Sequence, residues 1–278
     1  MKPRPNGNNN LEDGQRRLAV LIDADNAQAS IIEGLLAEIA RYGVASVKRI
    51  YGDWTSSHAN SWKNSLLKHS INPVQQFPYT KGKNATDSTM IIDAMDLMYT
   101  GRFDGFCIVS SDSDFTRLAQ RLREEGLMVF GFGEKKTPES FVAACDKFVY
   151  TEVLRPEAAV SAPVVSRPAV KVPGEKPAKA ATALKAPQAA AKVVVTTLPI
   201  KLIRQSIEEE SDENGWAHLG AVGSYLTKIR PDFDPRLYGH AKLSNLFKKN
   251  PQYFLLEERA LAGTSSKVFY VKVVVVVK

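Results

Sequence analysis

Cysteine is nearly absent, with two in 278 residues. That excludes a disulfide framework and a cysteine-built structural zinc site. Both cysteines lie in segments patterned for burial, Cys107 in a strand and Cys145 in a helix. They read as small buried residues in a reducing compartment. Histidine is scarce too, four in all, and His58 and His69 stand without a catalytic or zinc-binding neighbour. No apolar run reaches the roughly 18 residues that cross a bilayer. The opening MKPRPNGNNNLEDGQRR has no apolar core of the kind a secretory signal carries. A cytoplasmic protein with no membrane partner is expected, with residues 1–16 as a disordered N-terminus.

Aromatic residues are missing from 155–196, where Ala, Pro and Lys dominate. Such a stretch cannot bury enough surface to offset its ordering entropy, so it reads as a flexible linker. It also divides the charge. Residues 1–154 carry 18 Lys/Arg against 19 Asp/Glu, residues 155–196 carry seven against two, and residues 197–278 carry twelve against nine. The front is near neutral and the rest basic, which suits a polyanionic partner docking mainly through the rear.

Residues 17–154 alternate strand-like and helix-like segments. Strands are expected at 18–23, 46–53, 71–77, 105–110 and 127–132. Helices are expected at 28–42, 57–69, 86–100, 114–125 and 138–147. This alternation implies an α/β domain, a parallel sheet with helices on both faces. LAVLID and GFCIVS are continuous apolar runs, as central parallel strands should be. The glycines of FGFGEKKTPES, Gly131 and Gly133, lack the third glycine of a dinucleotide fingerprint and read as a strand-to-helix turn. Residues 197–278 resume globular patterning. Helices at about 199–209, 218–229 and 239–249 and strands near 252–257 and 267–277 fit a small winged-helix module.

Acidic residues stand where chemistry gathers in such a sheet, at the carboxyl ends of strands. Asp23 and Asp25 follow the first apolar run in LIDADN, and Asp112 and Asp114 follow the fourth in SSDSDF. Asp87 lies in the first turn of helix 86–100. Like charges brought together need a proton or a cation between them, and an all-oxygen cluster suits Mg²⁺ or Mn²⁺. Asn26, Ser110 and Thr116 are placed to support the cluster, although Asn26 and Asp114 are equally placed to cap helices. Asp93 and Asp96 point away from Asp87 around the helix and read as surface or supporting groups. Lys81 and Lys83 precede Asp87 and could face a phosphate. Trp54 and Tyr79, near strand ends, could stack on bases. Metal beside a basic loop suits phosphodiester hydrolysis, which needs no side-chain nucleophile.

Three stretches, LAVLIDADN, KGKNATDSTMIIDAMDLMY and FCIVSSDSDFTRLAQRLREEG, together resemble the NYN domain family, PIN-like nucleases that include the LabA-like proteins. The resemblance implies a PIN-like sheet and metal-dependent ribonuclease activity. It places catalytic and metal-binding roles on Asp23, Asp87, Asp112 and Asp114. The rear stretch from WAHLG to FLLEE, with YGHAKLSNLF at its centre, resembles the OST-HTH/LOTUS domain. That resemblance implies RNA as partner, or in some members protein. Arg236, Lys242, Lys248 and Lys249 are then the candidate RNA contacts, with Leu243, Leu246 and Phe247 as the buried stripe of the last helix.

The expected protein is a magnesium- or manganese-dependent ribonuclease with a tethered RNA-binding module; homodimerisation is left open. One rival is a non-catalytic RNA-binding or scaffold protein with a vestigial acidic pocket. A second is a haloacid-dehalogenase-like phosphatase, suggested by Asp23-Ala24-Asp25.

Overall fold

The computed structural model describes residues 15–55, 61–77, 85–155, 197–260 and 267–274. The front domain is built on six parallel strands, β1 (Arg17–Asp23), β2 (Val44–Gly52), β3 (Asn72–Gln75), β4 (Gly105–Val109), β5 (Met128–Gly133) and β6 (Lys147–Tyr150). They lie in the order β3-β2-β1-β4-β5-β6. Five helices connect them: α1 (Ile32–Ile39), α2 (Lys63–His69), α3 (Ala85–Tyr99), α4 (Thr116–Glu124) and α5 (Glu139–Ala144).

The apolar runs explain the layering. Every residue of β4 is buried, as is all of β1 after Arg17. Side chains alternate across a strand. Ala19 and Leu21 therefore join the core under α3, α4 and α5, while Leu18, Val20 and Ile22 join the core on the α1 and α2 side. The strand order reverses between β1 and β4, the crevice where ligands of open parallel sheets bind.

Several boundaries differ from the sequence expectation. Helix 28–42 becomes a 3₁₀ turn at Ala29–Ile31 followed by α1. Helix 138–147 ends at Ala144, because Cys145 is extended, and KFVY then forms the unforeseen sixth strand. The glycines of FGFG lie inside β5 rather than in a turn. A side chain at Gly133 would meet the Ser110 carbonyl oxygen at 2.6 Å, so the strand ends there can close up only with glycine. The linker beyond Arg155 and the N-terminus before Gln15 lie outside the described residues.

The rear domain has α6 (Ile200–Glu209), α7 (Leu219–Ile229) and α8 (Leu243–Lys248) against an antiparallel sheet in the order β7-β9-β8. Those strands are β7 (Ala217–His218), β8 (Phe254–Ala260) and β9 (Lys267–Val273). The expected helix 239–249 starts only at Leu243. A 3₁₀ turn at Pro235–Tyr238 precedes it and ends on Gly239 at φ +78°, a left-handed conformation that glycine takes without steric cost. Leu246 and Phe247 are fully buried as the stripe requires, and Leu243 packs beside them. No described helix is long and apolar enough to cross a membrane.

The two domains are in contact. Strand β6 is an edge, and an open edge is a liability unless it is covered. Its Phe148 N–H donates to the Pro231 carbonyl at 3.0 Å. Lys147 Nζ donates to the Phe233 carbonyl at 2.7 Å, and the Tyr150 hydroxyl to Asp232 at 3.1 Å. Arg236 holds Glu38 at the end of α1 with two hydrogen bonds, of 2.9 and 3.1 Å, while also binding Asp234. Burial pushes the Glu38 carboxyl up, but the hydrogen bonds and charge of Arg236 outweigh it and hold the group below its usual range. Arg236, an expected RNA contact, is thus occupied within the protein. We predict that Arg236→Ala, which leaves the buried Glu38 with only Arg41 and the Tyr42 hydroxyl, speeds deuterium exchange at the Phe148 amide by roughly tenfold or more. Exchange in β1 and β4 should not change.

Candidate metal centre

Strand β1 ends on a carboxylate with no exposure to solvent, that of Asp23. A buried carboxylate must be hydrogen-bonded, and this one is bonded at both oxygens. Oδ1 accepts the Asp25 N–H at 3.0 Å; Oδ2 accepts Asn26 Nδ2 at 2.7 Å and the Ser110 hydroxyl at 2.8 Å. Burial nonetheless dominates and raises its pKa above the ordinary value. The Ser110 hydroxyl also accepts the Asp112 N–H at 3.1 Å, and Asp112 Oδ1 accepts the Asp114 N–H at 2.9 Å. One relay therefore runs from the end of β1 through the β4 loop. It caps the 3₁₀ turn Ser113–Phe115 with Asp112 rather than starting a helix on Asp114.

Asp87 reaches the same place from the first turn of α3. Its carboxyl is nearly buried, and that burial, followed by repulsion from Asp23, Asp112 and Asp114, pushes its pKa up to about 6. Oxygens of Asp87, Asp112 and Asp114 all lie within 4.8 Å of one another. Oxygens opposite each other across an octahedral Mg²⁺ stand about 4.2 Å apart, so the three can share an ion of this size with little movement. Asp23, expected as a ligand beside them, is not in this set, although its charge is the strongest of the neighbouring acids acting on Asp87. The Thr116 hydroxyl is buried and has no hydrogen-bond partner among the described residues. It does not join the relay.

The chain turns sharply after Asp23, so Asp25 does not keep the direction that an extended spacing implies. It is exposed and accepts a 3.4 Å hydrogen bond from Thr86, which the sequence marks only as a helix start. Asp93 is half-buried rather than a surface group: Arg49 and Tyr51 of β2 both bind its carboxylate, which fixes α3 two turns beyond Asp87. Trp54 donates its indole N–H to the Val74 carbonyl and packs against the core, so it is no free stacking platform. Lys81, Lys83, Tyr79 and His58 lie outside the described residues.

In the rear domain, Lys242 and Lys249 are exposed, and Lys248 lies over the Phe269 ring at 5.1 Å. A different set was missed. Arg259 stacks over Tyr270 at 4.4 Å and over Trp216 at 5.0 Å, and His218 meets Tyr270 edge-on at 5.7 Å. They share the outer face of the β7-β9-β8 sheet, opposite buried Val271. The missed signal was the two-residue strand Ala217–His218, too short to show alternation.

A parallel α/β domain with a carboxylate cluster at its strand-order reversal, joined to a small helix-and-sheet domain, defines the class. The front domain is an NYN domain, whose family model matches residues 17–154, and the rear one an OST-HTH/LOTUS domain, matched at 194–265. A solution structure of an uncharacterised protein from Nitrosomonas europaea is 36% identical over 38% of this chain and 95% of its own, with a TM-score of 0.29. A solution structure of residues 175–257 of a Chromobacterium violaceum protein is 32% identical over 29% of this chain and 84% of its own, at a TM-score of 0.23. A Vibrio parahaemolyticus protein of unknown function is 17% identical over 50% of this chain and 94% of its own, at 0.43. No curated protein matches. The phosphatase alternative loses its basis in the geometry. It needs Asp23 as an accessible nucleophile, and both Asp23 oxygens are buried and bonded.

The raised Asp87 pKa carries a sign for stability. A carboxyl whose folded pKa exceeds its unfolded one favours the fold at low pH and loses that contribution as pH rises past the folded value. Asp87→Asn should therefore stabilise the metal-free protein at pH 8 by on the order of 1–3 kcal/mol. The gain should vanish below pH 4. Thermal unfolding in EDTA at the two pH values checks this.

Proposed function

We propose that this chain is a divalent-metal-dependent ribonuclease that hydrolyses RNA phosphodiester bonds, with the rear domain as its RNA-binding module. The observation that carries the reading is the convergence of Asp87, Asp112 and Asp114 oxygens within 4.8 Å, from two separate elements of the sheet's switch-point crevice. Helix capping explains Asp112 alone; it does not bring Asp87 to the same point. A bound Mg²⁺ or Mn²⁺ would supply polarisation of a phosphoryl oxygen and a water that a base deprotonates more readily than bulk water.

The chain's own residues do the rest. Asp87, Asp112 and Asp114 would hold the ion. Asp23, clamped by Asn26 and Ser110, fixes the β1 and β4 ends relative to each other, and through Ser110 it orients the Asp112 backbone. Asp25, exposed at the edge of the cluster and bonded to Thr86, is placed to orient a water or substrate hydroxyl. The presence of an OST-HTH/LOTUS domain supports RNA as the ligand. Both cysteines are buried and unbridged, as suits a reducing compartment such as the cytoplasm.

The test is cleavage of a panel of labelled RNAs with Mn²⁺, Mg²⁺ or EDTA. Asp112→Asn should lower the rate about a thousandfold or more while RNA binding persists, since one charged ligand contributes several kcal/mol. Ser110→Ala, which frees the Asp112 backbone, should cost about 10–100-fold. RNA binding with no metal-dependent cleavage by the wild type would instead identify a binding module with a vestigial acidic pocket.

A further inference from the structure

A sizeable cavity lies well away from the acidic cluster. It is a groove of about 920 Å³ between the two domains, with Arg16, Arg123 and Lys228 on its walls and Gly223, Ser224 and Thr227 of α7 along its floor. A second hollow, of about 380 Å³, shares Gly223 and Thr227 with it and adds Arg41 and Lys242. The two form one trench along α7. Neither domain has it alone, because the contact of β6 and α1 with residues 231–236 brings its walls together.

The trench is cationic in a way that its own acids do not cancel. Seven Lys/Arg line it against three Asp/Glu. Each acid is already held: Asp146 by Arg123, Asp234 by Arg236, and Glu38 by Arg236 and Arg41. Arg16, Lys228 and Lys242 are exposed and have no acidic partner among the described residues. The chain's own linker is an unsuitable occupant, since residues 155–196 carry seven basic residues against two acidic ones. The small floor residues let a bulky backbone settle between the walls.

One end of the trench continues into the aromatic face of the rear sheet. Gly220, on the groove wall, lies so close to His218 that a Cβ there would stand 2.8 Å from the imidazole. His218 leads on to Tyr270, Arg259 and Trp216. Unpaired cations followed by half-buried rings with a guanidinium stacked on them are the two parts of a single-strand site, one for phosphates and one for bases. We propose that the interdomain trench and the Trp216–Tyr270 face form a continuous exosite for single-stranded RNA.

The exosite lies at the amino ends of the strands, beside Arg16, Met128 and Asp146, whereas the acids lie at the carboxyl ends. A seven-residue strand separates the two by about 20 Å. RNA held in the trench reaches the acids only by running on along the sheet. The domain contact thereby sets where a bound strand is presented.

This inference rests on RNA as the chain's ligand but not on cleavage. The experiment is fluorescence anisotropy of the full chain in EDTA with labelled oligouridylate, and with a matched RNA duplex as second probe. Removing two phosphate contacts, in the Arg16→Ala/Lys228→Ala double variant, should weaken oligouridylate binding at least tenfold. It should also flatten the dependence of log K on log salt by about 1.4, at about 0.7 per contact for a single strand. Ser224→Trp, which fills the floor without altering charge, should weaken binding with the rest of the fold intact by circular dichroism. Lys63→Ala, removing an exposed cation on α2, should change nothing. Wild-type affinity in both trench variants, or tighter binding of the duplex than of the single strand, overturns the proposal. Trench-dependent binding by a protein that never cleaves upholds it while the ribonuclease reading falls. Metal-dependent cleavage with trench variants that bind normally does the reverse.

Discussion

A carboxylate with no access to water has to be neutralised or fully hydrogen-bonded, and the front domain is organised around one. Asp23 terminates the central strand, and its oxygens draw in Asn26 from its own turn and Ser110 from the neighbouring strand end. That joins β1 and β4 where the strand order reverses. It also sets the backbone on which Asp112 and Asp114 stand. Burial of Asp87, together with the four acids crowded around it, then costs energy, visible in its raised pKa. A cation bound among these carboxylates would relieve that cost. The strain and the proposed chemistry have the same source.

The second organising element is the polar contact between domains. Arg236, Asp234 and Glu38 form a partly buried ionic triad, supported by the Tyr42 hydroxyl on Glu38 at 2.9 Å. Buried ion pairs contribute little net stability against an apolar alternative, but they penalise wrong arrangements heavily. This one fixes how the rear domain meets edge strand β6. A covered edge, a trench along α7 and an aromatic face at its lip are consequences of a single docking geometry.

Much of this was legible in the amino-acid order. LAVLID and GFCIV mark buried central strands, and the acids at their ends read as a set from their positions alone. The role of each acid was not legible, because it depends on backbone direction after the strand. The turn at Ala24 swings Asp25 outward, and Asp112 spends one oxygen on a cap. Strand β6 was hidden because only Cys145 and Asp146 separate it from α5, so its residues continued an apparent helix. Arg236 looked like an RNA contact because its partner Glu38 lies 198 positions away. Long-range pairing of that kind leaves no local pattern, and neither does a groove built from two domains.

The claim on which the rest turns is that Asp87, Asp112 and Asp114 hold a divalent ion. Its most direct test is an anomalous difference map from crystals of the full chain grown with Mn²⁺. The structure predicts a peak bounded by those three carboxylates, with Asp23 still bonded to Asn26 and Ser110. A map with no peak at the cluster, or with the carboxylates turned apart around water alone, would contradict it.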